Sequence, residues 1–203
     1  IYNALSNGKS PDGCLGSCTD LTTVYGAATV DSSGRLWVAR MNKQSTPWVR
    51  EIVGFNPVTA FTSTTAPSFI IPSTVNRADS GTIPIDQVEG LASTTDGRLW
   101  VTNRGASRVV RISNPTTNPV VDAVIGAPSN LLNNGYCDSF FTMTGLCWPS
   151  GIGVDKFNNL YVADHSYAPL DEVTTPRKPG NYRMLMFAPV NPTAGTVVFA
   201  PAA

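Results

Sequence analysis

One pattern recurs three times along this 203-residue chain. A leucine followed by an aromatic residue and a valine occurs at Leu36, Leu99 and Leu160, which are separated by 63 and then 61 residues. A long and nearly constant period is typical of structural repeats that stack on one another, because one repeat alone cannot bury its apolar face. The sequence therefore predicts three copies of one structural unit.

A turn dipeptide lies shortly before each of these leucines, between two apolar runs. The dipeptides are Ser33-Gly34, Asp96-Gly97 and Asn158-Asn159. Tight hairpin turns need positive φ angles, which glycine adopts without steric cost and asparagine and aspartate tolerate. Each repeat is therefore predicted to open with a β-hairpin.

Two further apolar runs follow each hairpin and complete the repeat. The third strands are predicted at 48–55, 108–112 and 182–187, and the fourth at 68–72, 123–128 and 196–201. Four short antiparallel strands per repeat, with recurring glycine and aromatic residues, are the sequence pattern of a β-propeller blade. The predicted fold class is all-β, with three four-stranded blades.

These repeats also predict how the chain is divided. Residues 1–21 form a leading loop or the tail of a preceding blade, 22–73 blade 1, 74–128 blade 2, and 129–203 blade 3 with an inserted loop at 165–181. Propellers close with about four to eight blades, so three blades leave apolar faces that need a cover. We expect a longer chain or further copies to supply it, and the resemblance of 1–21 to the tail of a blade favours the longer chain.

Charge and hydropathy exclude two classes of partner. The chain has 14 Lys+Arg and 14 Asp+Glu, so no basic surface is available for nucleic acid. No apolar run approaches the roughly 18 residues needed to span a bilayer. The chain begins at Ile1 without an initiator methionine or a signal region, and we expect a processed or partial sequence.

Four cysteines occur in segments rich in Gly, Asn and Ser, at Cys14, Cys18, Cys137 and Cys147. Their even number permits three disulfide pairings. Zinc binding is the alternative, but the spacings differ from those of zinc sites and the one histidine is remote in sequence. Disulfides would place the protein outside the cytosol: extracellular, on the cell surface or in the periplasm.

Other recurring positions have structural explanations. Trp37, Trp100 and Tyr161 share one slot in the middle of a strand, where an aromatic side chain packs between blades more often than it forms a ligand cage. Aspartates near the hairpin turns, such as Asp31 and Asp155, are predicted to accept hydrogen bonds from turn N–H groups.

The third repeat resembles a known family, the NHL repeat. Residues 148–155 and 159–164, followed by 182–187, are similar to its Pro-x-Gly-Ile-Ala-Val-Asp, Gly-x-Leu-Tyr-Val-Ala-Asp and Arg-containing third strand. Residues 122–128 also resemble a stretch found in bacterial secreted members. The first two repeats match less closely: the first lacks the proline, and the second has Thr95 where the family has aspartate. The resemblance implies a propeller that serves as a binding scaffold or surface protein, with lyases and the related lactonases as a minority.

In propellers of this kind, the loops entering the first strand and those leaving the second share one rim, which is the expected binding face. The residues predicted on this rim are Arg40, Glu89, Asn103, Arg104, Asp164 and His165. No catalytic residue is predicted, because the chain has no Gly-x-Ser-x-Gly elbow and His165 is its only histidine.

Three of the rim residues resemble a metal site. Glu89 is similar in position to a metal-binding glutamate of gluconolactonase-like propellers, and Asn103 and Asp164 would complete a set of oxygen ligands suited to Ca²⁺. Arg40 occupies the equivalent position in the first repeat, and its positive charge opposes a cation.

The sequence thus predicts an extracytoplasmic β-propeller that serves as a binding or structural assembly module rather than an enzyme. Its expected partners are another protein, further copies of itself or the remaining blades of a longer chain. The alternative is a metal-dependent propeller enzyme, either a lactonase-like hydrolase or a lyase.

Overall fold

The computed structural model of the protein describes residues 23–42, 49–57, 66–126, 145–165, 182–189 and 200–201. These residues form three separate β-sheets. Leu36, Leu99 and Leu160 each begin the second strand of a hairpin, in three different sheets, which confirms the predicted repeat. The predicted segment 1–21 lies outside the described residues.

The first and third sheets each contain four consecutive antiparallel strands. The first sheet has the order β1 (Thr23–Val30), β2 (Leu36–Asn42), β3 (Val49–Phe55) and β4 (Phe69–Ile71). The third has the order β11 (Pro149–Val154), β12 (Leu160–His165), β13 (Tyr182–Ala188) and β14 (Ala200–Pro201). Both sheets have the predicted strand order of a blade, and we call them blade 1 and blade 3.

The second sheet, blade 2, contains six strands instead of the four predicted. Its blade strands are β7 (Leu91–Ser93), β8 (Leu99–Asn103), β9 (Arg108–Ser113) and β10 (Val120–Gly126). The additional hairpin consists of β5 (Thr74–Arg77) and β6 (Thr82–Pro84), and β5 pairs in parallel with β10. These strands are too short for a distinct sequence period, but Val75 and Ile83 are buried and anchor the hairpin to the core.

Blade 3 differs from its predicted boundaries at one point. His165 was expected to begin the inserted loop, but it is the last residue of β12 and pairs with Tyr182 on β13. The antiparallel ladder therefore continues one residue further than the apolar pattern indicated. The rest of the predicted insert, 166–181, lies outside the described residues.

The three hairpin turns have the predicted backbone conformation. Gly34, Gly97 and Asn158 occupy the same slot and have φ angles of 76°, 81° and 64°. Each N–H donates to the carbonyl of the residue three positions earlier, at 2.9 to 3.0 Å. Left-handed backbone at this slot explains why glycine and asparagine recur there.

A side-chain acceptor three residues before this slot holds each turn. Asp31 Oδ1 accepts hydrogen bonds from the N–H groups of Ser33 and Arg35, and Asp155 has the same role in blade 3. In blade 2 the residue is Thr94, whose Oγ1 accepts from the N–H of Arg98 at 2.9 Å. The assignment of Thr95 to this slot from sequence was therefore wrong by one residue.

Apolar side chains bury the seam between successive blades. Trp37, Ile52 and Ile71 of blade 1 pack against blade 2, and Trp100 and Val109 of blade 2 form a second core with blade 3. The prediction of inter-blade packing is confirmed for both tryptophans, which are fully buried. Tyr161 occupies the same slot in blade 3 but remains partly exposed.

The backbone at the start of each blade lies close to that of the next blade at a repeated glycine. A Cβ atom on Gly26 would lie 3.2 Å from the carbonyl oxygen of Val88, and one on Gly90 only 2.7 Å from that of Ser150. Both glycines occupy the same slot, so the backbone contact between neighbouring first strands is itself repeated.

No helix in the described part of the chain is long and apolar enough to cross a membrane. The helical structure described there is a 3₁₀ turn at Arg104–Ala106.

We predict that Gly90→Ala lowers the free energy of unfolding by about 1–3 kcal/mol, because the new methyl group forces the first strands of blades 2 and 3 apart. Gly153→Ala is the matched control, since a Cβ there meets no atom within 4 Å. Denaturant titration measures both. Equal stability of the two variants would contradict the close approach.

A second prediction concerns acid stability. Burial raises the pKa of Asp31, but hydrogen bonds from Trp37, Arg35 and Ser33 outweigh it and hold the pKa below its usual value of 3.8. A lowered folded pKa stabilises the fold above the unfolded pKa, and the contribution is lost as the pH falls through the folded value.

Asp31→Asn should therefore cost about 1–3 kcal/mol at pH 7, because its amide group cannot satisfy both the turn N–H groups and Trp37 Nε1. The difference from the wild type should shrink below about pH 4. Denaturant titrations from neutral to acid pH measure it, with the exposed Asp96→Asn as the control. A difference that does not change with pH would contradict the role of the carboxylate charge.

Candidate functional site

The second strands of the blades all end at the same rim of the molecule. Arg40, Asn103 and Asp164 occupy one slot there, four residues after the recurring leucine. Each is paired in register with a charged residue on the following strand. These partners are Glu51, Arg108 and Arg183, respectively.

Asn103 fastens the segment that leads into blade 2. Its side chain is fully buried, accepts a hydrogen bond from the N–H of Asp86 at 3.1 Å and donates to the carbonyl of Pro84. Residues 84–90, which we call the entry segment of blade 2, are therefore tied to the end of β8.

Asp164 has the equivalent role in blade 3. Its Oδ1 accepts from the N–H of Cys147 at 2.6 Å, and Arg183 Nε lies 3.0 Å from its other carboxylate oxygen. Cys147 corresponds in the repeat to Asp86, so the same bond recurs in both blades. The same kind of hydrogen bond therefore ties residues 145–151, which we call the entry segment of blade 3, to β12.

The residue after each of these bonds has a left-handed backbone. Gln87 has a φ of 49° and Trp148 a φ of 56°, and neither is a glycine. Such conformations cost about 1–3 kcal/mol each and persist where the surrounding structure imposes them. The bonds from Asn103 and Asp164 supply part of that constraint.

A buried cation lies beneath the entry segment of blade 2. Arg108 is fully buried and donates to the carbonyl of Pro84 at 3.2 Å. Burial lowers the pKa of Arg108 to about 10, with a smaller contribution from Arg77. The guanidinium therefore remains charged at neutral pH.

Glu89 and Arg104 form an ion pair that is exposed, in contrast to the buried Asn103 and Arg108. Thr102 Oγ1 accepts from the N–H groups of Glu89 and Gly90 at 2.9 and 2.8 Å, which fixes the backbone below the glutamate. The guanidinium of Arg104 also lies 4.9 Å from the centre of the Trp148 ring. Arg104 thus connects the entry segments of blades 2 and 3.

A cavity of about 440 Å³ opens on this rim between blade 1 and the entry segment of blade 2. Its apolar lining includes Ala39, Met41, Ile85 and Val88. Three arginines reach it, each paired with a carboxylate. The pairs are Arg40 with Glu51 at 2.6 Å, Arg50 with Asp86 at 2.8 Å, and Arg104 with Glu89.

The structure thus brings Arg40, Glu89 and Arg104 of the predicted rim set to one cavity. Asn103 and Asp164 lie on the same rim but are buried, and their side chains form hydrogen bonds with the backbone of the entry segments. His165 lies at the end of β12, and its side chain lies outside the described residues. Whether this rim binds a ligand stays a prediction.

The calcium site predicted at Glu89, Asn103 and Asp164 also stays a prediction. The described residues include no group of three or more His, Cys, Asp and Glu side chains able to hold a metal ion. A cation would have to compete with Arg104 for Glu89 and with backbone N–H groups for the oxygens of Asn103 and Asp164.

The described part of the chain contains no free cysteine, and Cys147 within it is buried. Cys14, Cys18 and Cys137 lie outside the described residues, so the pairing stays a prediction.

Three further residues of this rim, Trp148, Gln87 and Arg50, were not predicted from the sequence. The repeat itself could have indicated Gln87 and Trp148, because both lie twelve residues before the recurring leucine, at Leu99 and Leu160. Arg50 has no such signal, since only the approach of blade 1 to blade 2 places it 2.8 Å from Asp86.

Three stacked sheets, each with four consecutive antiparallel strands and with adjacent first strands, define the class: the protein is built of β-propeller blades. No protein-family model matches the sequence, and no curated protein matches it.

Solved structures similar to this fold include a luciferin-regenerating enzyme, at 14% identity and a TM-score of 0.44, with 84% of this chain and 44% of that chain covered. A catalytically inactive virginiamycin B lyase from Staphylococcus aureus, solved with quinupristin, has 14% identity and a TM-score of 0.31 over 84% and 57%. A streptogramin B lyase has 13% identity and a TM-score of 0.30 over 81% and 54%. The chain therefore spans about half the length of these propeller proteins.

We predict that Asn103→Leu loosens the entry segment of blade 2, because it leaves the N–H of Asp86 without its side-chain acceptor. The expected loss of stability is about 1–3 kcal/mol, with faster hydrogen exchange at the Asp86 amide measured by NMR. Ser113→Ala, which removes a hydrogen bond to the carbonyl of Val120, is the control. Unchanged exchange at Asp86 would contradict the role of Asn103.

Proposed function

We propose that the protein is an extracytoplasmic, NHL-type propeller module that binds an exposed peptide segment of a partner protein in the rim cavity. The observation that carries this proposal is the cavity between blade 1 and the entry segment of blade 2, with its apolar lining and paired charges. Its volume of about 440 Å³ lies within the usual range for ligand sites.

The charges around the cavity favour a ligand that carries both signs. Every arginine that reaches it has a carboxylate partner, so the cavity presents alternating charges rather than a strong positive field. A phosphate or another compact anion would gain little there, because it must compete with these carboxylates. A peptide can place an apolar side chain against Met41 and Val88 and offer opposite charges on either side.

The rim is also well ordered for recognition. The entry segment of blade 2 is fixed by Asn103, Thr102 and Arg108, so a ligand need not order it on binding. A preorganised surface loses less conformational entropy on association than a flexible one.

The extracytoplasmic location is supported by the cysteines and by the NHL-like third repeat. Disulfides persist mainly in oxidising compartments. Intact mass before and after reduction tests whether the cysteines form the disulfides on which this part of the proposal rests.

The binding experiment is a selection of peptides from a random display library on the purified protein. We expect peptides with an apolar residue flanked by charged residues, and we expect Val88→Trp, which fills the cavity, to weaken their binding at least about tenfold. Glu89→Lys, at an exposed position, should change which flanking charges are selected. NMR mapping should place the shifts at residues 39–41, 85–90 and 104.

Ser32→Trp is the matched control, because it adds the same bulk at an exposed turn on the opposite rim. Peptides that bind Val88→Trp as well as the wild type would contradict the cavity site. Stoichiometric calcium binding that is abolished by Glu89→Gln, together with hydrolysis of a lactone, would favour the metal-dependent enzyme instead.

A further inference from the structure

The rim cavity between blades 1 and 2 has a counterpart in the next seam, between blades 2 and 3. Two slots of the repeat face one another at this level of each seam. The slot five residues after the recurring leucine carries Met41 in blade 1 and Arg104 in blade 2. The slot twelve residues before that leucine carries Gln87 in the entry segment of blade 2 and Trp148 in that of blade 3. The two seams can therefore be compared slot by slot.

The entry segments present Gln87 and Trp148 on equivalent backbone. Their φ angles are 49° and 56°. The residue before each donates its N–H to the buried side chain near the end of a second strand, at 3.1 Å in blade 2 and 2.6 Å in blade 3. The difference between the seams at this slot therefore lies in the side chains.

In the seam between blades 2 and 3, the two slots are in contact. The guanidinium of Arg104 lies 4.9 Å from the centre of the Trp148 ring, which is a cation–π contact. The same guanidinium is paired with Glu89. Arg104 can make both contacts because the N–H groups at the edge of a guanidinium bind carboxylates while its flat face stacks on a ring.

In the seam between blades 1 and 2, the same two slots line the open cavity. Met41 and Gln87 both belong to its wall. Gln87 is exposed, whereas Trp148 in the equivalent slot is partly buried. Neither methionine nor glutamine supplies an aromatic ring, so the place that a ring takes in the next seam corresponds here to part of the cavity of about 440 Å³.

A guanidinium also reaches this cavity, but from the third strand of blade 1. Arg50 is paired in register with Met41 and lines the cavity wall. Its Nε lies 2.8 Å from Asp86 Oδ1, so it has a carboxylate partner, as Arg104 has in Glu89. The cavity thus contains a cation of the kind that stacks on a ring in the next seam, together with a thioether, which also makes favourable contacts with aromatic rings.

We infer that the cavity binds an aromatic side chain of the peptide, in the place that Trp148 takes in the next seam. This inference rests on the proposed peptide-binding function and names its anchor residue. The ring contacts the thioether of Met41 and the guanidinium of Arg50. Tryptophan is the preferred anchor, because its ring attracts cations most strongly and its N–H can donate to a carboxylate such as Glu51 or Glu89 in the cavity wall.

The test uses acetylated and amidated peptides of sequence Gly-Lys-X-Glu-Gly, in which X is tryptophan, tyrosine, leucine or alanine. Their affinities are measured by NMR titration at peptide concentrations up to about 1 mM. We expect the tryptophan peptide to bind most tightly and the leucine peptide at least about tenfold more weakly, because leucine gains only apolar burial. The shifts should lie at Met41, Arg50 and Val88.

A double variant rebuilds the contact of the next seam inside the cavity. Met41→Arg combined with Gln87→Trp should weaken binding of the tryptophan peptide at least about tenfold, because the protein's own ring then competes for the anchor's place. Gln87→Trp alone, at an exposed position, should give a smaller loss. Ser32→Trp is the matched control, because it adds the same ring at an exposed turn on the opposite rim.

The cation is tested by the preference between peptides rather than by affinity alone. Arg50→Gln should reduce the preference for tryptophan over leucine about two- to fivefold, the usual worth of a cation–π contact at a surface. Thermal unfolding of each variant checks that the seam remains intact.

The outcomes separate this inference from the proposed function. Leucine and tryptophan peptides that bind the cavity equally well would overturn the aromatic anchor and leave peptide binding in place. Unchanged affinity of the tryptophan peptide for the double variant would also overturn the anchor. If none of the four peptides shifts the residues of the cavity wall, both the anchor and the proposed function are contradicted.

Discussion

The contact between the first strands of successive blades sets the spacing of the rest of the structure. A Cβ on Gly90 would lie 2.7 Å from the carbonyl oxygen of Ser150, closer than real Cβ atoms come, and one on Gly26 would lie a tight 3.2 Å from that of Val88. At that spacing, the aromatic slot of one blade and the leucine slot of the following blade meet and exclude water. The burial of apolar area in these seams is the main source of stability, because each sheet has little core of its own.

The same repeat also builds the rim. The residue four positions after the recurring leucine, Asn103 or Asp164, accepts a hydrogen bond from the segment that enters its own blade. The next residue of that segment has a left-handed conformation. In blade 1 this slot carries Arg40, which forms an ion pair with Glu51 instead. Arg40 and Glu51 both line the cavity on which the proposed binding function rests.

Some features that the structure reveals were beyond sequence reasoning. The β5–β6 hairpin was not predicted because its strands are three or four residues long, and its burial depends on contacts with two blades. Two of the proposed calcium ligands, Asn103 and Asp164, looked alike in sequence, since each is an oxygen-bearing residue near the end of a second strand. Their hydrogen bonds to backbone, which depend on the path of the entry segments, could not be inferred from residue type.

The sequence by itself determined the number of blades, the position of the turns and the burial of Trp37 and Trp100, because these depend on local φ preferences and on a repeated apolar pattern. Only the tertiary structure decided which charged residues meet at the rim and which faces are covered. Arg50 reaches Asp86, and Arg104 reaches Trp148, across the seams between blades. Such contacts depend on how whole sheets stack, and residues far apart in sequence carry no local signal of that arrangement.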